Sequence, residues 1–289
     1  MLMNEQISIA SVLVERDEKG RFIKGCKGRE ISEEEREQRR QIMKAYHTLH
    51  PENGKRLGNW VIKNKRKELK TEYDRLTTEK AYVFGVLCGD GYLFKHKCRT
   101  GYSYGLGLTS IDMEFINHFL KYIKEQYGID GKIRFVKNGE WSRHQRYRLR
   151  CFSKLLYMEL IQYGSFGIKT WHTPSEILSC DNENIIAAFL KGFVDSEGCV
   201  SRTGYQITIS NTNRVGLNQI RQLLLKLGIF VSEIYASNTC LNLRITGYPN
   251  LRIFYHKVGL TISRKKTRLE NYLNKQTERP LTEEESVYA

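Results

Sequence analysis

The stretches "VFGVLCGDG" (83–91) and "LKGFVDSEG" (190–198) are two versions of one pattern: an apolar run closing in small residues, a carboxylate and a glycine. Each reads as the end of a helix. Gly85 and Gly89 stand four residues apart, as do Gly192 and Ser196, so each pair lies on one helical face. Small residues there let two helices approach backbone to backbone, and Asp90 and Glu197 then emerge together at the two helix ends. A single "GDG" after an apolar helix is ordinarily a C-terminal turn with its last glycine left-handed. The second copy changes that reading, because two acids gathered at one point repel unless a cation lies between them.

Outward from these stretches the chain repeats itself. From residue 77 the order is helix, strand, strand, helix, strand, strand, helix, with strands at "YLFKH", "YGLGLTS", "KIRFV" and "RYRLRCF". The order recurs from "NENIIAAFLKGFVDSEG" onward, with strands at "CVSRT", "YQITISN", "VSEIYAS" and "LNLRIT". Gly91 corresponds to Gly198 (198 − 91 = 107), Gly128 to Gly228 (100) and Lys169 to Lys265 (96), so the second copy has shorter loops. The expected fold is α+β: two αββαββα subdomains at 77–180 and 181–276, related by a pseudo-twofold axis within one monomeric chain. A basic N-terminal extension occupies 1–76, and an acidic tail, expected to be disordered, occupies 277–289. The extension carries basic clusters at 16–29 and 55–70 around a helix opened by the capping box of Ser32 and Glu35. Residues 1–80 hold 19 basic against 14 acidic residues, which fits either a solvated arm or a nucleic-acid-contacting one.

Composition narrows the partner. The 289 residues carry 47 Lys and Arg against 32 Asp and Glu, a net charge of 47 − 32 = +15 and a pI near 9.4. That balance points to a polyanion, and nucleic acid first. A hydrophobic fraction of 40% excludes a wholly disordered chain. No run approaches the ~20 apolar residues of a membrane span, and no targeting signal is seen, so the expected setting is the cytoplasm or an organelle that encodes the protein. Seven cysteines without a CxxC pair suggest a reducing compartment and no disulfide framework. At a phosphate surface, the two carboxylates call for a hard cation, Mg2+ or Mn2+, which activates water and stabilises the leaving oxygen of a phosphodiester.

Strand alternation supports the same partner. Period two puts Arg146, Arg148 and Arg150 on one face of "RYRLRC", with Tyr147, Leu149 and Cys151 on the other. Lys132 and Arg134, then Gln206, Thr208 and Ser210, then Asn242, Arg244 and Thr246 read as outward-facing in the same way. Strand faces rich in Arg, Asn, Gln and Thr and free of acids suit groove reading. Turn residues Lys95, Lys97, Arg99, Lys137, Arg143 and Arg202 are expected to touch phosphates.

The two nonapeptides resemble the paired signatures of LAGLIDADG homing endonucleases in their single-chain form, over about residues 77–275. The resemblance implies that the two sheets form a DNA-binding saddle, and that Asp90 and Glu197 bind catalytic metal, with the carbonyls of Gly89 and Ser196 as further ligands. It also implies a basic residue near each acid. Lys169 and Lys265 are the candidates, with Lys266 one register away. Cys88 departs from the signature where the second copy keeps Asp195, a position that serves the helix end more than the chemistry. The implied activity is Mg2+-dependent, site-specific double-strand cleavage of a long, near-palindromic DNA target, serving the mobility of an intron or free-standing element. The alternative on the same fold is an intron-RNA maturase or a non-cleaving DNA-binding regulator.

Overall fold

Thr77 opens the first motif helix by accepting the backbone N–H of Lys80 (3.2 Å). In this computed structural model the described residues are 32–49, 75–99, 101–136, 145–237 and 239–277. Two units are distinguished along the chain, Met1–Arg66 and Lys67–Ala289. In the first, the described element is helix α1 (Glu33–Leu49), capped by Ser32 Oγ, which accepts from the Glu35 N–H at 3.2 Å. The basic clusters at 16–29 and 55–70 and the tail beyond 277 lie outside the described residues.

The second unit contains the repeat. Its first half runs α2 (Thr78–Cys88), β1 (Gly91–Cys98), β2 (Gly101–Ser110), α3 (Met113–Tyr127), β3 (Lys132–Val136), β4 (Arg146–Phe152), α4 (Lys154–Leu160) with a 3-10 turn, and a short α5 (Ser175–Leu178). The second half runs α6 (Glu183–Glu197), β5 (Gly198–Val200), β6 (Gln206–Asn211), α7 (Arg214–Lys226), β7 (Tyr235–Ser237), β8 (Cys240–Thr246), α8 (Tyr248–Lys257) and α9 (Ser263–Thr277). Each half folds one four-stranded antiparallel sheet, in the orders β1-β2-β4-β3 and β5-β6-β8-β7. The landmark glycines match: Gly128 ends α3 at φ 68° and Gly228 follows α7 at φ 77°, both left-handed.

One face of each sheet is covered. Leu106, Leu108, Leu149 and Cys151 in the first sheet, and Ile207, Ile209, Leu243 and Ile245 in the second, are fully buried. The β1–β2 hairpin is longer than its sequence suggests, since both strands continue through "KC" and "GYS", with Cys98 pairing Gly101. β7 keeps only three residues, fewer than expected.

The halves join through α2 and α6, packed along their lengths. α2 is buried from Lys80 to Cys88, which is why its sequence is apolar on every side. Gly85 and Gly192 make the approach possible: a Cβ on Gly85 would lie 2.0 Å from the Phe189 carbonyl oxygen, and one on Gly192 2.3 Å from that of Tyr82. Around this axis the halves clasp each other. Tyr82 Oη donates to Asp195 Oδ2 at 2.9 Å, the Arg264 guanidinium binds both carboxylate oxygens of Asp112 at 3.0 and 2.9 Å, and Asn213 Nδ2 donates to the Trp171 carbonyl at 2.5 Å.

Candidate nuclease site between the motif helices

At their C-terminal ends α2 and α6 lie against each other. A Cβ on Gly89 would sit 2.4 Å from Ser196 Cβ and 3.3 Å from Glu197 Cγ, so the peptides bearing the two acids are held against each other. Gly91 is not left-handed. It begins β1, and its missing side chain makes room for the Val86 carbonyl, 2.8 Å from where a Cβ would stand. The bland reading of "GDG" as a simple capping turn therefore fails.

The electrostatics show two acids placed in tension. Glu197 is half-buried, and its carboxyl is pushed up to about 7, first by burial and then by the neighbouring Asp90, while Asn211 and Lys265 oppose the rise. Protein packed around the end of α2 raises the Asp90 carboxyl as well, and Lys265 pulls it down, although the residue keeps an open side to solvent. Like charges so close favour a proton or a cation between them. Among the described residues no three His, Cys, Asp or Glu side chains form a metal cage. The residues expected to donate, Asp90 and Glu197 with the main-chain oxygens of Gly89 and Ser196, would make an all-oxygen set that suits a cation retaining waters and phosphate ligands. On that ground these residues fit a hard divalent ion.

The residues around the acids divide by role. Asp195 is buried and fully engaged, accepting from the Thr261 N–H and Tyr82 Oη at 2.9 Å each, so it ties the helix end rather than facing the site. Cys88, in the matching place, is buried with its thiol 3.7 Å from the His172 carbonyl, and burial pushes that thiol well up, so it stays neutral. Lys265 is also buried. Its ammonium donates to the carbonyls of Val194 (3.2 Å) and Asp195 (2.6 Å) at the end of α6, and lies near enough to both Asp90 and Glu197 to influence them. Burial lowers its pKa, and Asp195 and Asp90 restore part of it.

Lys169 is a different case. It is exposed in the turn before Trp171. Lys265 donates its backbone N–H to the Ile262 carbonyl at the start of α9. Of the two candidate lysines, Lys265 is buried and Lys169 is exposed. Lys265→Met is expected to cost roughly 2–3 kcal/mol in urea unfolding, since two buried carbonyls lose their donor, whereas Lys169→Met should stay within about 0.5 kcal/mol.

Sequence reasoning missed Asn211 and Trp171. Asn211 Oδ1 accepts from Trp171 Nε1 at 3.3 Å and from the Asn213 N–H at 3.0 Å, and its side chain also bonds Glu197. Trp171 is seated against Gly216, where a Cβ would be 2.3 Å from the ring. A connector from the first half thereby orients the amide that steadies the acid of the second.

The sheet faces opposite the helices carry most of the expected basic and polar residues. Arg148 and Arg150 are half-exposed, and Arg146, Lys132 and Arg134 are exposed. Gln206 and Thr208 are half-exposed on the second sheet, with Arg244 exposed beside them. Three expectations need correction. Lys95 and Lys97 are strand residues, not turn residues, and alternate onto the face opposite Arg150. Lys95 lies over the rings of Tyr102 and Tyr104, while its neighbour Phe94 takes the Arg150 side. Asn242 is buried rather than outward-reaching, because Ser210 Oγ donates to its Oδ1 at 2.6 Å and Tyr235 pairs beside it. Arg99 and Arg202 are exposed in turns as expected, and Lys137 and Arg143 lie outside the described residues.

Two αββαββα halves, joined by motif helices that present paired carboxylates, define the class: the fold of the LAGLIDADG homing endonucleases. Residues 184–259 match the family model described as a LAGLIDADG-like domain. A solved structure of the homing endonuclease I-WcaI bound to its DNA recognition sequence is similar at a TM-score of 0.50 and 17% identity, covering 67% of this chain and 87% of that one. One of I-DmoI in complex with DNA and Mn is similar at 0.48 and 24%, covering 64% and 98%. Among curated proteins, an uncharacterized protein of Methanocaldococcus jannaschii is 30% identical over 184 residues, covering 62% of this chain and 64% of that protein. The glutamine–fructose-6-phosphate aminotransferase of the same organism is 26% identical over 208 residues, covering 69% of this chain. The chain spans only 18% of that aminotransferase's length.

Proposed function

We propose that this chain is a monomeric, Mg2+-dependent endonuclease that makes a site-specific double-strand break in DNA and so mobilises an intron or free-standing element. The observation that carries the reading is the pair Asp90 and Glu197, crowded at the ends of two helices between two sheets, with Asp90 raising the Glu197 carboxyl. A divalent ion bound there would activate water and stabilise the leaving oxygen of the phosphodiester. The chain's own residues prepare the place. Asp90 and Glu197 supply charge, Gly89 and Ser196 supply carbonyl oxygens, and Gly89 keeps the two helix ends in contact. Asn211 orients Glu197. Lys265 holds the end of α6 and adds positive potential where charge builds on the phosphate. The sheet faces, forming a saddle, would lie in the major groove, with Arg99 and Arg202 on phosphates.

The test is incubation of the full chain with Mg2+ and a randomised plasmid library, followed by sequencing of new DNA ends. Discrete paired ends that vanish in EDTA support the reading. Binding to one duplex or one RNA without new ends would replace it with the binding-protein alternative.

Its pH dependence has a definite sign. With no cation bound, Glu197 is protonated below about pH 7, and a proton competes with the cation for the same oxygens. The Mg2+ concentration giving half-maximal cleavage should therefore rise roughly tenfold per pH unit below pH 7 and level off above it. A flat requirement between pH 6 and 8 would exclude Glu197 as a ligand.

A further inference from the structure

Trp171 is the largest fully buried side chain among the described residues. It belongs to the connector that follows the first half, yet its surroundings are those of the second. Its ring centre lies 5.0 Å from that of Phe193 on α6, and the ring rests on Gly216 of α7, where a Cβ would meet its carbons at 2.3, 2.5 and 2.6 Å. Its carbonyl accepts from Asn213 Nδ2 at 2.5 Å, and Asn213 Oδ1 accepts the Gly216 N–H at 3.1 Å. One asparagine therefore caps α7 and anchors the connector together. Further along, the His172 carbonyl accepts from the thiol of Cys88, two residues before Asp90, and the Thr173 N–H donates to Gln219 Oε1 at 2.9 Å. Packing and its own backbone bonds thus hold the indole in one place.

That fixed indole settles how Asn211 sits. Asn211 Oδ1 accepts from Trp171 Nε1 at 3.3 Å and from the Asn213 N–H at 3.0 Å. An amide oxygen has two lone pairs, and both are used. The reverse orientation would aim the amide NH2 at two donors, so Nδ2 faces the other way, where Glu197 receives it. A carboxylate only accepts, which makes the amide nitrogen its complement. The matching place in the first half is filled differently. Gly91 pairs with Leu108 and Gly198 with Ile209, which sets Ser110 where Asn211 stands, and Ser110 Oγ accepts from the Asp112 N–H at 3.1 Å.

We propose, on the reading of the chain as a metal-dependent nuclease, that Trp171 is a positioning residue: acting through the Asn211 amide, it holds the Glu197 carboxylate oriented for a divalent ion. A residue of the first half thereby sets how firmly the acid of the second half takes that ion. Without the indole N–H, Asn211 can turn over or swing away, and the ion must then order a carboxylate that the fold had ordered beforehand.

The test is binding of Mn2+ to the full chain, read by electron paramagnetic resonance as loss of the free-ion signal with no nucleic acid present. Glu197→Gln identifies the ion bound at this site, since that binding should disappear with the charge. Asn211→Ala and Trp171→Phe are each expected to weaken it by roughly tenfold. The double variant should bind no more weakly than Asn211→Ala alone, because the indole acts only through the amide. Should Trp171→Phe fail to fold, benzothienylalanine at position 171 replaces it, keeping the shape of the ring and lacking only the N–H; the same tenfold loss is expected. Losses that multiply in the double variant would give Trp171 a merely structural part and overturn the proposal. Unchanged Mn2+ binding in the Trp171 variant, or a parent chain that takes up no Mn2+, would overturn it as well. Mn2+ binding with this dependence in a chain that cuts no DNA would leave it standing and remove only the nuclease reading.

Discussion

Glu197→Gln, assayed on a target that the parent chain cuts, is expected to lose cleavage by at least about a thousandfold while melting at a higher temperature at pH 8. The loss follows from removing one of two charged oxygen donors at the helix ends without changing side-chain volume. The gain follows from linkage. The Glu197 carboxyl titrates near 7 in the folded chain, above its ordinary 4.5, so between those values the folded state binds more protons than the unfolded one. Stability therefore falls as pH rises through that window, and glutamine escapes the fall. Discounted for the open side of the cleft, the advantage above pH 7 is about 1–2 kcal/mol, or roughly 2–8 °C. It should shrink toward zero near pH 4.5, and shrink again when Mg2+ is added to the parent. Differential scanning fluorimetry across pH, beside a strand-resolved cleavage assay, checks both halves. A variant that still cuts, or one that loses activity by unfolding, contradicts this account of the site.

The second large effect concerns the axis on which the site depends. Gly192→Ala places a methyl group 2.3 Å from the Tyr82 carbonyl oxygen and 3.1 Å from the Val86 nitrogen, both backbone atoms of the facing helix. Neither can rotate away, so α2 and α6 must separate, and the clasp from Tyr82 to Asp195 opens with them. A loss of about 3–5 kcal/mol, or failure to fold, is expected. Gly228→Asn is the comparison. That glycine is left-handed at φ 77° with nothing within 4 Å of its would-be Cβ, and asparagine tolerates the conformation. It should cost under about 1 kcal/mol. Urea unfolding of both variants measures the difference, and equal costs would mean that the helix approach does not limit stability.

Much of this architecture is legible in the one-dimensional pattern because it depends on local periodicity. Small residues four apart mark the helix seam, period-two alternation marks the arginine face, and the recurrence of the motif marks the doubled fold. The misreadings have a common origin in residues whose place is set by partners distant in the chain. Asn242 alternates as an outward residue, yet Ser210 and Tyr235 close over it. Lys95 and Lys97 look like turn residues because the extent of a hairpin is set by cross-strand pairing, which spacing alone does not reveal. Lys169 and Lys265 share a spacing in the sequence, yet Lys265 is buried at the end of α6 while Lys169 is exposed, a difference that packing sets. The roles of Asn211 and Trp171 carry no signal in the chain at all, since each depends on a neighbour supplied by the other half.

By itself, then, the sequence determined the helix seam, the doubled αββαββα order, the arginine-bearing strand and the two acids, all of which follow from backbone periodicity and side-chain size. Tertiary structure alone decided that Lys265 is buried beside the two acids while Lys169 is exposed, and that Trp171 and Asn211 are brought to Glu197. Those properties arise from approach distances, burial and cross-strand register, which exist only once residues a hundred positions apart have been brought together.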